Sequence, residues 1–235
     1  MLSSKKIVSH MRSSLFILLI LFLQGLLFAC SKKEVQKVEY PAHKVLILGN
    51  SITYAPANPS IDWNGSWGMA ASVADSDYVH LITSRFKALN NSTTVDAVNI
   101  AEFEREFDTY NFDKLKAYRD AKPDIIILRI GENFLRESEA GLFEAKYVEL
   151  LNYLKINNPQ VKILAVGSFW TLRDVANAVM SKYTNYISLS SLESVESNMA
   201  FGLYSDLGVQ LHPSNKGMKA ISDMIWAEMV KNKFL

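Results

Sequence analysis

The run Asp124-Ile125-Ile126-Ile127-Leu128-Arg129-Ile130 constrains the fold of this chain more than any other stretch. Successive side chains of a strand point to opposite faces, so consecutive apolar residues require both faces to be covered. Strands of that kind belong to parallel sheets packed between helices. Val45-Leu46-Ile47-Leu48 and Val161 to Val166 read the same way, and Thr94 to Ile100 alternates as a strand. Between these lie segments with apolar residues at helical spacing. They are Asp77 to Leu89 with Asp77 as N-cap, Glu102 to Tyr118 as one helix or two short ones, Leu142 to Ile156, Leu172 to Tyr183 and Ser214 to Lys231. Ile187 to Leu192 reads as a short fifth strand. Strand and helix alternate throughout, which predicts an α/β fold with right-handed crossovers.

The expected architecture is a doubly wound, flavodoxin-like parallel sheet of about five strands in an α/β/α sandwich, whose site lies at the carboxyl ends of the strands. Ser51, Asn99, Asn133 and Ser168 all fall at or just beyond those ends. The first strand stops at Gly49 and presents Ser51 in a small polar loop, a common way to display a nucleophile. A serine hydroxyl needs a base. His10 lies in the N-terminal leader, His43 precedes the first strand and His80 sits within a helical pattern. His212 remains, on a loop stiffened by Pro213 at the entrance of the last helix, with Ser214 able to cap it. Asn133 offers an amide donor at a strand end, with Gly131 giving a tight turn. Arg129, inside a buried strand, either reaches the rim or pairs with Glu132 or Glu104. In the insert from Tyr54 to Ser76, Trp63 and Trp67 either contact substrate or pin the loop to the core.

The first 29 residues read differently. Lys5, Lys6 and Arg12 precede an uncharged apolar run from Leu15 to Ala29, the pattern of a secretory leader. The run is short for a membrane span, which needs roughly 20 residues. Cys30 is the single cysteine, so no internal disulfide can form, and it stands where a lipobox places the acylated residue. Here the sequence resembles bacterial lipoproteins. The expected organisation is a signal over residues 1–29, a polar tether over 30–41 and one domain over 42–235. The resemblance implies a lipid anchor at Cys30 and an extracytoplasmic place in the cell envelope. Removing three basic and no acidic residues from a chain with 25 Lys+Arg and 24 Asp+Glu leaves a charge of about −2. No basic stripe then remains to attract nucleic acid.

Neither a phosphate-cradling Gly-x-x-x-x-Gly-Lys loop nor a Gly-x-Gly-x-x-Gly turn is present, and no His/Cys/carboxylate cluster has zinc spacing, so neither cofactor nor metal is expected. Gly49-Asn50-Ser51-Ile52-Thr53, Gly131-Glu132-Asn133 and His212-Pro213 occur in the order and at the strand ends found in the SGNH (GDSL-like) hydrolases, which this chain resembles over nearly all of residues 42–235. Trp67 to Ser72 and Gly217-Met218 are similar to a bacterial lipoprotein branch of that family. The resemblance implies Ser51 as nucleophile, His212 as base, and an oxyanion hole from the Ser51 N–H and the Gly131–Asn133 block.

Two departures stand out. The family aspartate three residues before the histidine is Val209 here. Asp206 is then the favoured third member, with Glu102, Glu104 or a backbone carbonyl as alternatives. The family glycine after the second strand is missing from Asn99-Ile100-Ala101-Glu102-Phe103-Glu104. The expected activity is hydrolysis of acyl esters, acetyl esters on glycans first. The rivals are a non-catalytic glycan-binding or assembly module of the same fold and a flavin binder using the Asn50–Thr53 loop.

Overall fold

The computed structural model describes residues 39–235. Residues 1–29, Cys30 and most of the tether lie outside the described part. Five strands form one parallel sheet: β1 Lys44–Gly49, β2 Thr94–Asn99, β3 Ile125–Arg129, β4 Lys162–Val166 and β5 Asn185–Ile187. Their order is β2-β1-β3-β4-β5, the flavodoxin-like arrangement expected from the sequence. The fifth strand lies earlier than Ile187 to Leu192. Tyr186 and Ile187 complete the ladder beside Ala165 and Val166, while Ser190–Glu193 is a helical turn. In so short a segment apolar spacing does not separate strand from helix, and Leu189 is buried from the turn.

Among the described residues the α-helices in chain order are α1 Tyr78–Leu89, α2 Ala101–Arg105, α3 Lys116–Asp120, α4 Ala140–Lys155, α5 Asp174–Tyr183, α6 Ser190–Glu193, α7 Leu207–Gln210 and α8 Asn215–Lys231. Of the two readings of Glu102 to Tyr118, the pair of short helices is the one found: α2 ends after five residues, and a 3-10 turn at Phe112–Leu115 leads into α3. Asp77 caps α1 as the sequence suggests, its carboxylate accepting from the His80 N–H at 2.7 Å.

The consecutive apolar residues of β1 and β3 divide by parity between two cores. Leu46, Leu48, Ile126 and Leu128 face α4 and α5, against Phe143, Tyr147, Leu150 and Met180. Val45, Ile47, Ile125 and Ile127 face α1 and α8, against Ile82, Phe86, Ile221 and Ile225. Burial on both faces anchors the two central strands, and their carboxyl ends carry the Ser51 turn and the Gly131–Asn133 loop side by side. Among the described residues no helix is long and apolar enough to cross a membrane.

Candidate active site

Gly49 lets β1 turn sharply. A Cβ there would lie 1.9 Å from Thr53 Oγ1 and 2.9 Å from the Arg129 carbonyl, so no side chain fits. The turn is closed by Thr53 and Tyr54 N–H groups on the Asn50 carbonyl, at 2.9 and 3.0 Å. Its outer side is tied to the insert, where the Met69 N–H binds the Ser51 carbonyl at 2.9 Å. Thr53 Oγ1 in turn shares a hydrogen with the buried Tyr78 hydroxyl at 2.6 Å.

Ser51 Oγ lies 2.8 Å from His212 Nε2, across 161 residues of chain. The imidazole comes from the loop before α8, fixed on both sides. Its own N–H binds the Val209 carbonyl, its carbonyl accepts from Ala200, and the Ser214 N–H binds Asn198. Trp170 packs edge-on against the ring with centroids 5.4 Å apart, its indole N–H held by the Leu211 carbonyl at 2.8 Å. Ser214 caps α8 by accepting from the Gly217 N–H.

Asp206 is not behind the ring. Its carboxylate caps α7, accepting from the Val209 N–H at 3.0 Å. His212 Nδ1 instead faces the Gly208 carbonyl at 2.8 Å. A carbonyl oxygen only accepts, so Nδ1 carries a hydrogen and the neutral ring presents a bare Nε2 to Ser51. Of the four orienting groups open from the sequence, Asp206, Glu102, Glu104 and a backbone carbonyl, the backbone carbonyl is the one in place. The physical reason is local: three residues after Asp206 the chain is already helical, and an N-cap carboxylate is drawn to the free N–H groups of its own helix. Burial lowers the His212 pKa to about 4, against the opposing hydrogen bond that Nδ1–H donates to the Gly208 carbonyl. The imidazole is therefore neutral and able to accept a proton at pH 7. Asp206→Ala should lose about 1 kcal/mol of stability with the cap, and an activity resting on Ser51 should fall less than about tenfold, as measured by urea unfolding and ester turnover.

A buried polar cluster underlies the serine turn. Asn50 Nδ2 donates to Glu104 Oε1 at 2.8 Å and to Glu132 Oε2 at 2.6 Å, while Asn50 Oδ1 accepts from Arg129 Nη1 at 2.9 Å. Arg129 Nη2 pairs with Glu132, whose Oε1 also takes the Phe169 N–H at 2.8 Å. Arg129 thus pairs with Glu132, one of the two partners open from the sequence, and does not reach the rim.

The oxyanion block differs from expectation. Gly131, at φ +123°, turns its N–H inward to Glu104 Oε1 at 3.2 Å, so that N–H is already engaged. Asn133 Nδ2 gives one hydrogen to Glu104 Oε2 at 2.6 Å, and Asn133 Oδ1 accepts from Arg105 at 2.8 Å. The second Nδ2 hydrogen has no partner among the described residues, nor has the Ser51 N–H.

Trp63 is 1% exposed, and its indole N–H donates to the Ala55 carbonyl at 3.1 Å, so it pins the insert and meets the neighbouring cavity only at its wall. Trp67 is partly exposed, edge-on to Trp63, and lines a cavity of about 290 Å³ with Asp62, Ser72 and Tyr204. Trp63→Ala should destabilise the domain by about 3–5 kcal/mol by thermal or urea unfolding. The sequence offers Glu104 only as one alternative acid, and nothing in Ser168-Phe169-Trp170 signals contact with His212. Among the described residues no group of three His, Cys, Asp or Glu could hold a metal ion.

No protein-family model matches this sequence, and no curated protein matches it. Solved structures do match in fold. A two-domain esterase active on acetylated mannans, co-crystallised with mannopentaose, superposes with a TM-score of 0.56 at 14% identity, covering 82% of this chain and 50% of that one. A family two carbohydrate esterase from Cellvibrio japonicus gives 0.52 at 16% identity, covering 81% and 61%. A carbohydrate esterase family 3 protein from Talaromyces cellulolyticus gives 0.53 at 16% identity, covering 80% and 97%. The fold is one that these esterases share. This chain spans about half the length of the mannan esterase.

Proposed function

We propose that this chain is a serine esterase of the SGNH (GDSL-like) type, hydrolysing acyl esters through an acyl-enzyme. The observation that carries the reading is the 2.8 Å contact between Ser51 Oγ and a His212 Nε2 free to accept a proton. Ser51 Oγ attacks the ester carbonyl carbon as its proton moves to Nε2. The tetrahedral intermediate collapses when Nε2 returns that proton to the leaving alcohol, and water repeats the sequence to release the acid. The Ser51 N–H and the remaining Asn133 Nδ2 hydrogen stabilise the oxyanion; a donor of this kind is worth roughly 3–4 kcal/mol of barrier.

Acetyl esters on glycans are the proposed substrates, in keeping with the mannan-active esterase of shared fold. Trp67 and its cavity are the proposed sugar contact in place of Trp63. The proposed setting is the cell envelope, with a lipid on Cys30. Residue 44 opens β1 at the amino edge of the sheet, so an anchored chain would enter the domain at the end opposite Ser51.

The test is release of acetate from acetylated manno- and xylo-oligosaccharides, and of p-nitrophenol from its acetate, by the domain and by Ser51→Ala. Turnover abolished in the variant supports the reading, and a flat trace for the wild type overturns it. The non-catalytic glycan-binding module is then favoured. Its specific support is that Gly131 and Asn133 turn donors toward Glu104, with no carboxylate behind His212.

A further inference from the structure

Glu104 is fully buried, yet sits in the short helix α2 between solvent-exposed Glu102 and Arg105. Both carboxylate oxygens are used. Oε1 accepts from Asn50 Nδ2 at 2.8 Å and from the Gly131 N–H at 3.2 Å. Oε2 accepts from the Asn133 N–H at 2.7 Å and from Asn133 Nδ2 at 2.6 Å. All four partners are donors, and none of those atoms can accept a hydrogen. The side chain therefore joins three segments far apart in sequence: the serine turn through Asn50, the loop after β3, and α2 itself.

The Asn50 amide is saturated as well. Its two Nδ2 hydrogens go to Glu104 and Glu132, and its oxygen receives Arg129 and the Ile52 N–H. Neither the turn nor the Asn133 amide can shift without breaking a bond to this carboxylate.

We propose that Glu104 is a positioning residue for the esterase reaction, its ionised carboxylate fixing the Asn133 amide relative to the Ser51 turn. The inference rests on the esterase reading. Glu104 touches neither Ser51 nor His212 by hydrogen bond and acts through Asn133 and Asn50. The charged groups of the cluster are Glu132 and Arg129, from β3 and its loop, and Arg105, the next residue in α2, which donates to Asn133 Oδ1; Tyr78 and His212 feel the Arg129 and Glu132 charges.

The arrangement makes the clamp sensitive to protons. Burial and then the Glu132 charge raise the Glu104 pKa to about 7, against the pull of its Asn50 and Asn133 hydrogen bonds. Adding a proton places an O–H among four donors, so at least one of the four bonds must break. His212, lowered to about 4, does not titrate in that range.

The experiment is the pH profile of kcat on p-nitrophenyl acetate for wild type, Glu104→Gln and Glu104→Asp, with the Asn133 side-chain amide followed by NMR. The wild-type kcat is expected to fall about tenfold or more as pH drops through about 7. Glu104→Gln puts a permanent NH₂ among the donors; its kcat should be lower by about 10- to 100-fold with KM little changed, and its profile flat near pH 7. Glu104→Asp keeps a carboxylate and should keep an acid limb. The Asn133 amide resonance of the wild type should titrate with the same midpoint, a readout that needs no activity and no variant. A wild-type profile flat from pH 5.5 to 8, a Glu104→Gln enzyme of wild-type kcat or one that keeps the limb, or a pH-independent Asn133 amide would each overturn the proposal. A wild type inactive at every pH overturns the esterase reading instead, and the amide titration still reports whether the clamp exists.

Discussion

His212→Ala and Ser51→Ala should each lower ester turnover by three orders of magnitude or more, since removing either member of a serine–imidazole pair in a well-studied hydrolase costs on the order of 10⁶ in kcat. The double variant should be little worse than either single one, because the two groups act as a unit. The check is single-turnover and steady-state hydrolysis of p-nitrophenyl acetate by the three variants; additive losses would mean that Ser51 and His212 do not share one proton. The same pair has a stability signature. The folded-state pKa of His212 lies at about 4, below the ordinary 6.5. Between those values the unfolded chain binds more protons than the native one, so this group adds stability above about pH 6.5 and loses it as pH falls toward 4. Wild type minus His212→Ala, compared by urea unfolding at pH 7 and pH 5, should show that loss. Glu104 works in the opposite sense, its raised pKa favouring the folded state at low pH, and the difference between the two proteins cancels it.

Arg129→Met should be the most destabilising substitution in the site. The guanidinium is fully buried and holds Glu132 and Asn50 beneath the serine turn. Removing it leaves two buried carboxylates, Glu104 and Glu132, with no positive partner, and breaking one member out of a buried ion pair costs about 3–5 kcal/mol. For a domain of this size that corresponds to a fall in Tm of roughly 6–20 °C. Adding Glu132→Gln to Arg129→Met should recover part of the loss, since the second change removes the orphaned charge. Thermal unfolding of the two single variants and the double completes the cycle. A loss below about 1 kcal/mol for Arg129→Met would show that the cluster is hydrated and not a buried electrostatic unit.

The cluster also shows where sequence reading stops. Asp124 to Ile130 announces its own burial, because side-chain alternation is a property of the chain itself, and from it follow the parallel sheet and the rim that carries Ser51. Asp77 and Ser214 could be placed as caps for the same reason: the groups they satisfy lie within three residues. Glu104 could not be placed. In sequence it is one of several charges in a short amphipathic segment, and its burial depends on donors 54, 27 and 29 residues away.

Asp206 is the reverse case, a carboxylate held by its own helix. Its distance from His212 along the chain left it in reach, but the local claim of α7 on its carboxylate is met first, and the Gly208 carbonyl that the helical turn presents takes the ring. Trp63 and Trp67 look equivalent as letters; the packing of the insert sends one inside and leaves the other partly open.

Periodicity, caps and turn glycines, all consequences of contacts within a few residues, were enough to determine the layers of this protein, the order of its elements and the rim that carries Ser51; singling out His212 as its partner took the elimination of the other histidines and the resemblance to the SGNH hydrolases, and the two meet at 2.8 Å. The tertiary structure alone decided which group orients the imidazole, which donors remain free and which carboxylate is buried. Those outcomes are competitions among hydrogen-bonding groups brought together from distant parts of the chain, where the nearest satisfied geometry wins and linear spacing carries no record of it.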